Sequence, residues 1–135
     1  MFKSVTYKVL LVDTNLKNAQ ACYQLLRKID LSTDIALSMK AALNLLMKRQ
    51  KNYGCIIIHA EESQMHQGIK LLSRIKRTLG IHRIPVILLC PEATSDLIKK
   101  ALHLGVFECV TDPWGTELTQ VLHRAFYEKT SFSVA

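Results

Sequence analysis

Tyr53-Gly54-Cys55-Ile56-Ile57-Ile58-His59-Ala60-Glu61-Glu62-Ser63-Gln64-Met65-His66-Gln67-Gly68 is the stretch whose reading decides the fold. Its apolar run, Cys55 to Ile58, is short, rich in β-branched residues and preceded by Gly54. Such a run reads as a strand buried on both faces, in the middle of a parallel sheet. It ends at about His59, and a polar loop leads to a helix after Gly68. In open α/β sheets, ligands and chemistry collect at the carboxyl ends of such strands. This sequence places Ala60 there, between a histidine and two glutamates.

Working outward toward the N-terminus, Met39 to Gln50 reads as a helix with Ala42, Leu43, Leu46 and Met47 on one side. Asp34 to Leu37 is a short strand. Leu16 to Ile29 carries a helical stripe of Ala19, Cys22, Tyr23, Leu26 and Ile29. Val9 to Val12 is a first buried strand, ending at the polar turn Asp13-Thr14-Asn15.

Toward the C-terminus, Gly68 to Leu79 has helical spacing and Gly80 stops it. Ile84 to Cys90 is a fourth strand, with Pro85 at its entry, where a missing N–H is tolerated. Thr94 or Ser95 caps a helix through Leu104, which Gly105 ends. Phe107 to Thr111 is a fifth strand. Asp112 and Pro113 read as N-cap and first residue of a last helix, Trp114 to about Glu128. Its inner stripe is Leu118, Val121, Leu122, Ala125 and Phe126. The segment from Thr130 is expected to fray. Strands alternating with helices imply a parallel sheet covered on both faces, with right-handed crossovers.

The 135 residues fit one domain, with a core over about 7–128 and a flexible tail over 129–135. Hydrophobic residues make up 49%, enough for a globular core. No apolar run reaches the roughly 20 residues of a membrane helix. The N-terminus lacks a secretory apolar segment, so the expected location is the cytoplasm. Cys22, Cys55, Cys90 and Cys109 lack zinc-ligand spacing and read as reduced structural cysteines. The net charge of +7 is spread over several helices, in Lys48, Arg49 and Lys51, in Arg74, Lys76 and Arg77, and in Lys99 and Lys100. Solvated helix faces account for most of it, and a basic surface alone is weak support for nucleic acid.

The pattern resembles the receiver domain of bacterial two-component response regulators, a flavodoxin-like fold. Four landmarks carry the resemblance: Val-Leu-Leu-Val-Asp ending at Asp13; the central strand with Gly68 eight residues beyond Ala60; Ile84-Pro-Val-Ile-Leu-Leu-Cys90; and Gly105-Val-Phe-Glu-Cys-Val-Thr-Asp-Pro-Trp114. The resemblance implies a doubly wound, five-stranded parallel sheet in the order 2-1-3-4-5. It also implies a chemistry built on an acceptor aspartate, an acidic pair holding Mg²⁺, a hydroxyl residue on the fourth strand and a lysine before the proline.

This sequence departs at nearly every one of those positions. Counted back from Gly68, the acceptor position is Ala60. Only Asp13 remains of the acidic pair, because Thr14 follows it. Cys90 stands for the hydroxyl residue, Asp112 for the lysine, and Cys109 for the switch aromatic on the fifth strand. The resemblance therefore implies a pseudo-receiver: a non-enzymatic signalling module, independent of phosphorylation, that works by docking a protein partner, an output domain or a second copy. The matching face is helix 4, strand 5 and helix 5, with Lys99, Lys100, His103, Phe107, Glu108, Trp114, Glu117, His123, Arg124 and Tyr127. Trp114 and Tyr127 are good contact types if exposed. The alternative for Trp114 is the core, where the family has a phenylalanine.

Two other readings are weighed. One is a ligand- or metal-sensing pocket of Asp13, Asp112 and Glu61 or Glu62, with His59 nearby. Against it, Asp112 is explained as a helix cap, Asp13 can accept loop N–H groups, the glutamates sit in a solvated loop, and His59 need not face the same way as Ala60. The other is the receiver part of a DNA-binding regulator, for which no helix-turn-helix is present. His59 or Ser63 as substitute acceptors, and Cys90 as a redox switch, have no supporting neighbours in the sequence.

Overall fold

The structure is a computed structural model and describes residues 8–49, 52–61, 65–78, 84–91, 94–112 and 114–134. Its elements are β1 (Lys8–Val12), α1 (Leu16–Lys28), β2 (Thr33–Ala36), α2 (Met39–Arg49), β3 (Tyr53–His59), α3 (Met65–Thr78), β4 (Val86–Leu89), α4 (Ser95–His103), β5 (Glu108–Val110) and α5 (Glu117–Val134). The strands form one parallel sheet in the order β2-β1-β3-β4-β5, the expected topology.

β3 is buried along all seven of its residues. Its side chains alternate between two cores. Cys55 and Ile57 join Val9, Leu11, Ile87 and Leu89 against α1 and α5. Ile56 and Ile58 join Leu10, Val12, Val86 and Leu88 against α2, α3 and α4. Burying one aliphatic side chain of this size contributes roughly 1.5–3 kcal/mol. A strand used on both faces is thus the main contributor of apolar area to the sheet. Tyr53 opens it, fully buried, and its hydroxyl donates to Asp34 Oδ2 at 2.8 Å, tying the start of β3 to β2.

The helix ends follow local chemistry. Asn15 caps α1 by accepting from the Asn18 N–H at 3.1 Å. Thr94, rather than Ser95, caps α4 through the Leu97 N–H. Gly105 follows α4 with φ +95°, a conformation that glycine adopts without a Cβ penalty. Gly80, expected to stop α3, lies outside the described residues, as do Glu62, Ser63 and Pro113.

Several boundaries depart from the sequence reading, and three of them bear on the site. β3 begins at Tyr53 rather than Cys55. α3 begins at Met65, so Gly68 lies inside it. Its role there is space: a Cβ on Gly68 would sit 3.0 Å from the Ala60 Cβ, so a bare backbone lets α3 lie against the end of β3. The third correction concerns Asp112, which does not cap the last helix. Its carbonyl accepts from the Gly115 N–H at 3.4 Å, its carboxylate lies against Gly115, and α5 starts at Glu117. Glycine in this turn resists helix, and the first bond runs from Gln120 N–H to the Thr116 carbonyl. The helix then continues to Val134, past the expected end near Glu128.

Burial sets an alkaline limit on stability. Desolvation pushes the Cys22 thiol up from 9.0 to about 12, with the Asp13 charge adding to it. Burial raises the Cys55 thiol as well. The Tyr53 phenol is raised by burial and by its bond to Asp34. A group whose folded pKa is raised stabilises fully below its unfolded pKa and loses that contribution as pH climbs toward the folded value. The melting temperature is therefore expected to fall from about pH 9 to pH 12, and Cys22→Ala to flatten that slope. Equal slopes for the two proteins would contradict the assignment.

Candidate functional site

The carboxyl edge of the sheet is built by the β1–β3 register. Val12 pairs with Ile58, which brings the next residues, Asp13 and His59, side by side. Asp13 continues the row Val9–Leu11, and His59 continues the row Cys55–Ile57, so both point to the same side. The His59 Nδ1 and the Asp13 Oδ2 are 2.7 Å apart, with side chains only 5% and 3% exposed. A carboxylate only accepts, so the Nδ1 carries the proton. The other oxygen, Oδ1, accepts the Asn15 N–H at 2.9 Å. Both Asp13 oxygens are thus engaged, one on the histidine and one on the loop that starts α1.

Beside this pair lies a small cleft of about 40 Å³, lined by Val12, Asp13, Thr14, Met39, Ile58, His59, Gln67, Gly68 and Leu71. It has room for roughly one or two waters. Ala60 takes no part in it. Its side chain packs in the core of Ile58 and Leu88 and meets α3 at Gly68, while its N–H donates to the Leu89 carbonyl. The residue whose side chain meets Asp13 is His59, the neighbour of the position that the resemblance matched to the acceptor. The signal was available in the alternation of the strand, because His59 lies two residues beyond Ile57 and four beyond Cys55.

The carboxylates considered for a metal that are among the described residues, Asp13, Glu61 and Asp112, do not converge. Glu61 is exposed and accepts from Asn18 Nδ2 at 2.9 Å. Asp112 is exposed and lies against Gly115. Asp13 is bound to His59 and Asn15. Among the described residues no group of three His, Cys, Asp or Glu side chains could hold an ion. Among the described residues the oxygen set that a hard cation such as Mg²⁺ needs is therefore missing, and those residues do not fit one.

Thr14 is exposed at the rim. Cys90 is fully buried just beyond β4, and its N–H donates to the Val110 carbonyl at 2.9 Å. Cys109 is half-buried on β5, and the Cys90 thiol lies 3.7 Å from the Leu88 carbonyl.

On the face formed by α4, β5 and α5, Lys99, Lys100, His103 and Arg124 are exposed. Trp114 is 50% exposed, so it is not the core residue that its position in the motif allowed. Leu102 is exposed to a similar degree, at 49%. Phe107 is half-buried against the α1–α5 core. Arg124 Nη2 donates to Glu108 Oε2 at 3.2 Å, spanning α5 and β5. The Tyr127 side chain lies outside the described ones. No helix among the described residues is long and apolar enough to cross a membrane.

A parallel sheet in this order, with Asp13 at the end of β1 and a polar edge at the end of β3, is the flavodoxin-like arrangement that receivers share. The chain belongs to the family of response regulator receiver domains, whose family model matches residues 9–123. A response regulator receiver domain protein from Clostridium thermocellum is similar in structure, with a TM-score of 0.82 at 20% identity, over 93% of this chain and 98% of that one. The signal receiver domain of an HD domain-containing protein from Pseudomonas fluorescens Pf-5 is 30% identical, with a TM-score of 0.79, over 93% and 98% of the two chains. An orphan response regulator of H. pylori matches with a TM-score of 0.70 at 19% identity, over 90% and 97%. No curated protein matches the chain in sequence.

Proposed function

We propose that this receiver domain signals without accepting a phosphoryl group, as a non-enzymatic docking module for a protein partner, an attached output domain or a second copy of itself. One observation carries the reading. The side chain that meets Asp13 at the end of β3 is a histidine, held at 2.7 Å by that aspartate. Acyl-phosphate chemistry needs a carboxylate there, and residues 59 and 60 both lack one. The proposal takes His59 as the acceptor-equivalent residue and the His59–Asp13 pair as a fixed substitute for the acidic cluster. Three further features support it. Cys90 replaces the hydroxyl residue, Asp112 brings a negative charge where the lysine is needed, and the Asp13 oxygens are already engaged. Docking falls to the face with Trp114, Leu102, Lys99 and Lys100, where apolar area stands beside positive charge.

The test is thermal unfolding of the whole chain with Mg²⁺, with Mg²⁺ plus beryllofluoride, and with acetyl phosphate. A ligand that binds only the folded state raises the melting temperature by mass action. No shift and no labile phosphoryl adduct are expected. A Mg²⁺-dependent rise with beryllofluoride would overturn the proposal.

A further inference from the structure

α3 and α4 lie side by side over the core of Ile56, Ile58 and Leu88. Between them runs a groove of about 410 Å³. From α3 it takes His66, Ile69, Lys70 and Ser73, whose spacing of three and four residues puts them on one face of that helix. From the other side come Lys100 and Leu104, the residue that caps α4. The floor is apolar: Ile69 is 7% exposed and Leu104 is half-buried. Lys70 on one wall and Lys100 on the other are exposed.

The charge along this groove has little to balance it. α3 carries Lys70, Arg74, Lys76 and Arg77 and no carboxylate in its 14 residues. The helical neighbours of Lys70 at three and four residues are His66, Gln67, Ser73 and Arg74, and the spacing of Lys70 and Arg74 is repulsive. α4 adds Lys99 and Lys100 against a single acid, Asp96. The ion pairs among the described residues join Lys8 to Asp34, His59 to Asp13 and Arg124 to Glu108, so neither groove lysine is paired among them.

We propose that the α3–α4 groove docks an acidic peptide segment of a partner protein, with an apolar side chain seated on Ile69 and Leu104 and carboxylates on either side meeting Lys70 and Lys100. The lysine stems extend the apolar floor while their ammonium groups stay in water. The stripe from His66 to Ser73 spans about 10 Å at the ordinary helical rise, room for about two helical turns or three extended residues of a ligand. A nucleic-acid backbone would use the charge and leave the apolar floor unfilled. A flat membrane surface would not reach a floor set between two helices. This groove is separate from the surface with Trp114 and Leu102, and only Lys100 borders both. The inference goes beyond the docking module proposed above, since acceptance of a phosphoryl group would overturn that function and leave the groove as it is.

The experiment selects binders to the whole folded chain from a random-sequence peptide display library and measures synthetic copies by fluorescence anisotropy. The expected binders combine Asp or Glu with a large apolar residue. Lys70→Glu with Lys100→Glu is expected to weaken them about tenfold or more. Lys40→Glu with Lys48→Glu, the same change of net charge at exposed positions of α2, is expected to leave affinity within a factor of about two. In amide NMR spectra of the unsubstituted chain, the shifts caused by the peptide are expected to cluster at 66–73 and 100–104. No binders, binders without acidic residues, equal losses in the two charge variants, or shifts centred on Trp114 would each overturn the proposal. So would undiminished affinity after serine replaces the apolar residue of the peptide, or tighter binding of duplex DNA or phosphatidylglycerol vesicles at the same groove. The NMR map stands even if a variant fails to fold.

Discussion

Asp13→Ala is expected to lower the unfolding free energy by about 3 kcal/mol, the range for breaking a buried, hydrogen-bonded pair and leaving one partner unsatisfied. The aspartate holds two things at once, the His59 imidazole inside the fold and the Asn15 N–H that opens α1. Removing it strands the His59 Nδ1 donor at a position only 5% exposed. Urea denaturation measures the loss. His59→Leu and the double variant complete a thermodynamic cycle, and the cost of the Asp13 change is expected to shrink by more than half once the imidazole is gone. If both costs simply add, the pair is incidental to the fold.

The second large effect is a gain. Thr14→Asp combined with His59→Asp places three carboxylates, with Asp13, around the cleft. Like charges held this close repel, so the metal-free variant is expected to be less stable than the parent. Saturating Mg²⁺ is then expected to raise its melting temperature by about 4 °C or more, while the parent stays unmoved. The informative control is Thr14→Asp with Ala60→Asp. Residue 60 points into the apolar core at Gly68, so this variant is expected to lose stability and gain no response to Mg²⁺. Rescue by Mg²⁺ in the control, and not in the His59 variant, would place the acceptor-equivalent position at residue 60.

These two variants also mark where the sequence was legible. The fold was legible because β3 is an uninterrupted apolar run between polar boundaries, and alternating strands and helices leave few ways to cover it. Asn15, Thr94 and Gly105 act as local signals announce, since capping and positive φ depend on few neighbours. The His59–Asp13 pair was hidden by counting back from Gly68. A loop can absorb an extra residue, so its length does not fix a strand's register, whereas the in–out alternation of β3 does. Asp112-Pro113 imitates a helix start, but Gly115 follows at once and moves that start to Glu117. The pairing of Leu88 with Cys109 depends on the register of β4 and β5, which no local pattern encodes.

The sheet edges bear on what kind of partner can be recognised. β2 has four residues and β5 three, and each is flanked on only one side. A peptide that binds by adding a strand draws its affinity from a row of backbone bonds and needs a longer open edge. An edge as short as β5 offers only one or two such bonds in ideal geometry. The docking proposed for this domain would therefore rest on side chains of the helices, a vocabulary in which single substitutions change partners. Strand addition reads mainly the backbone and would have been far more permissive.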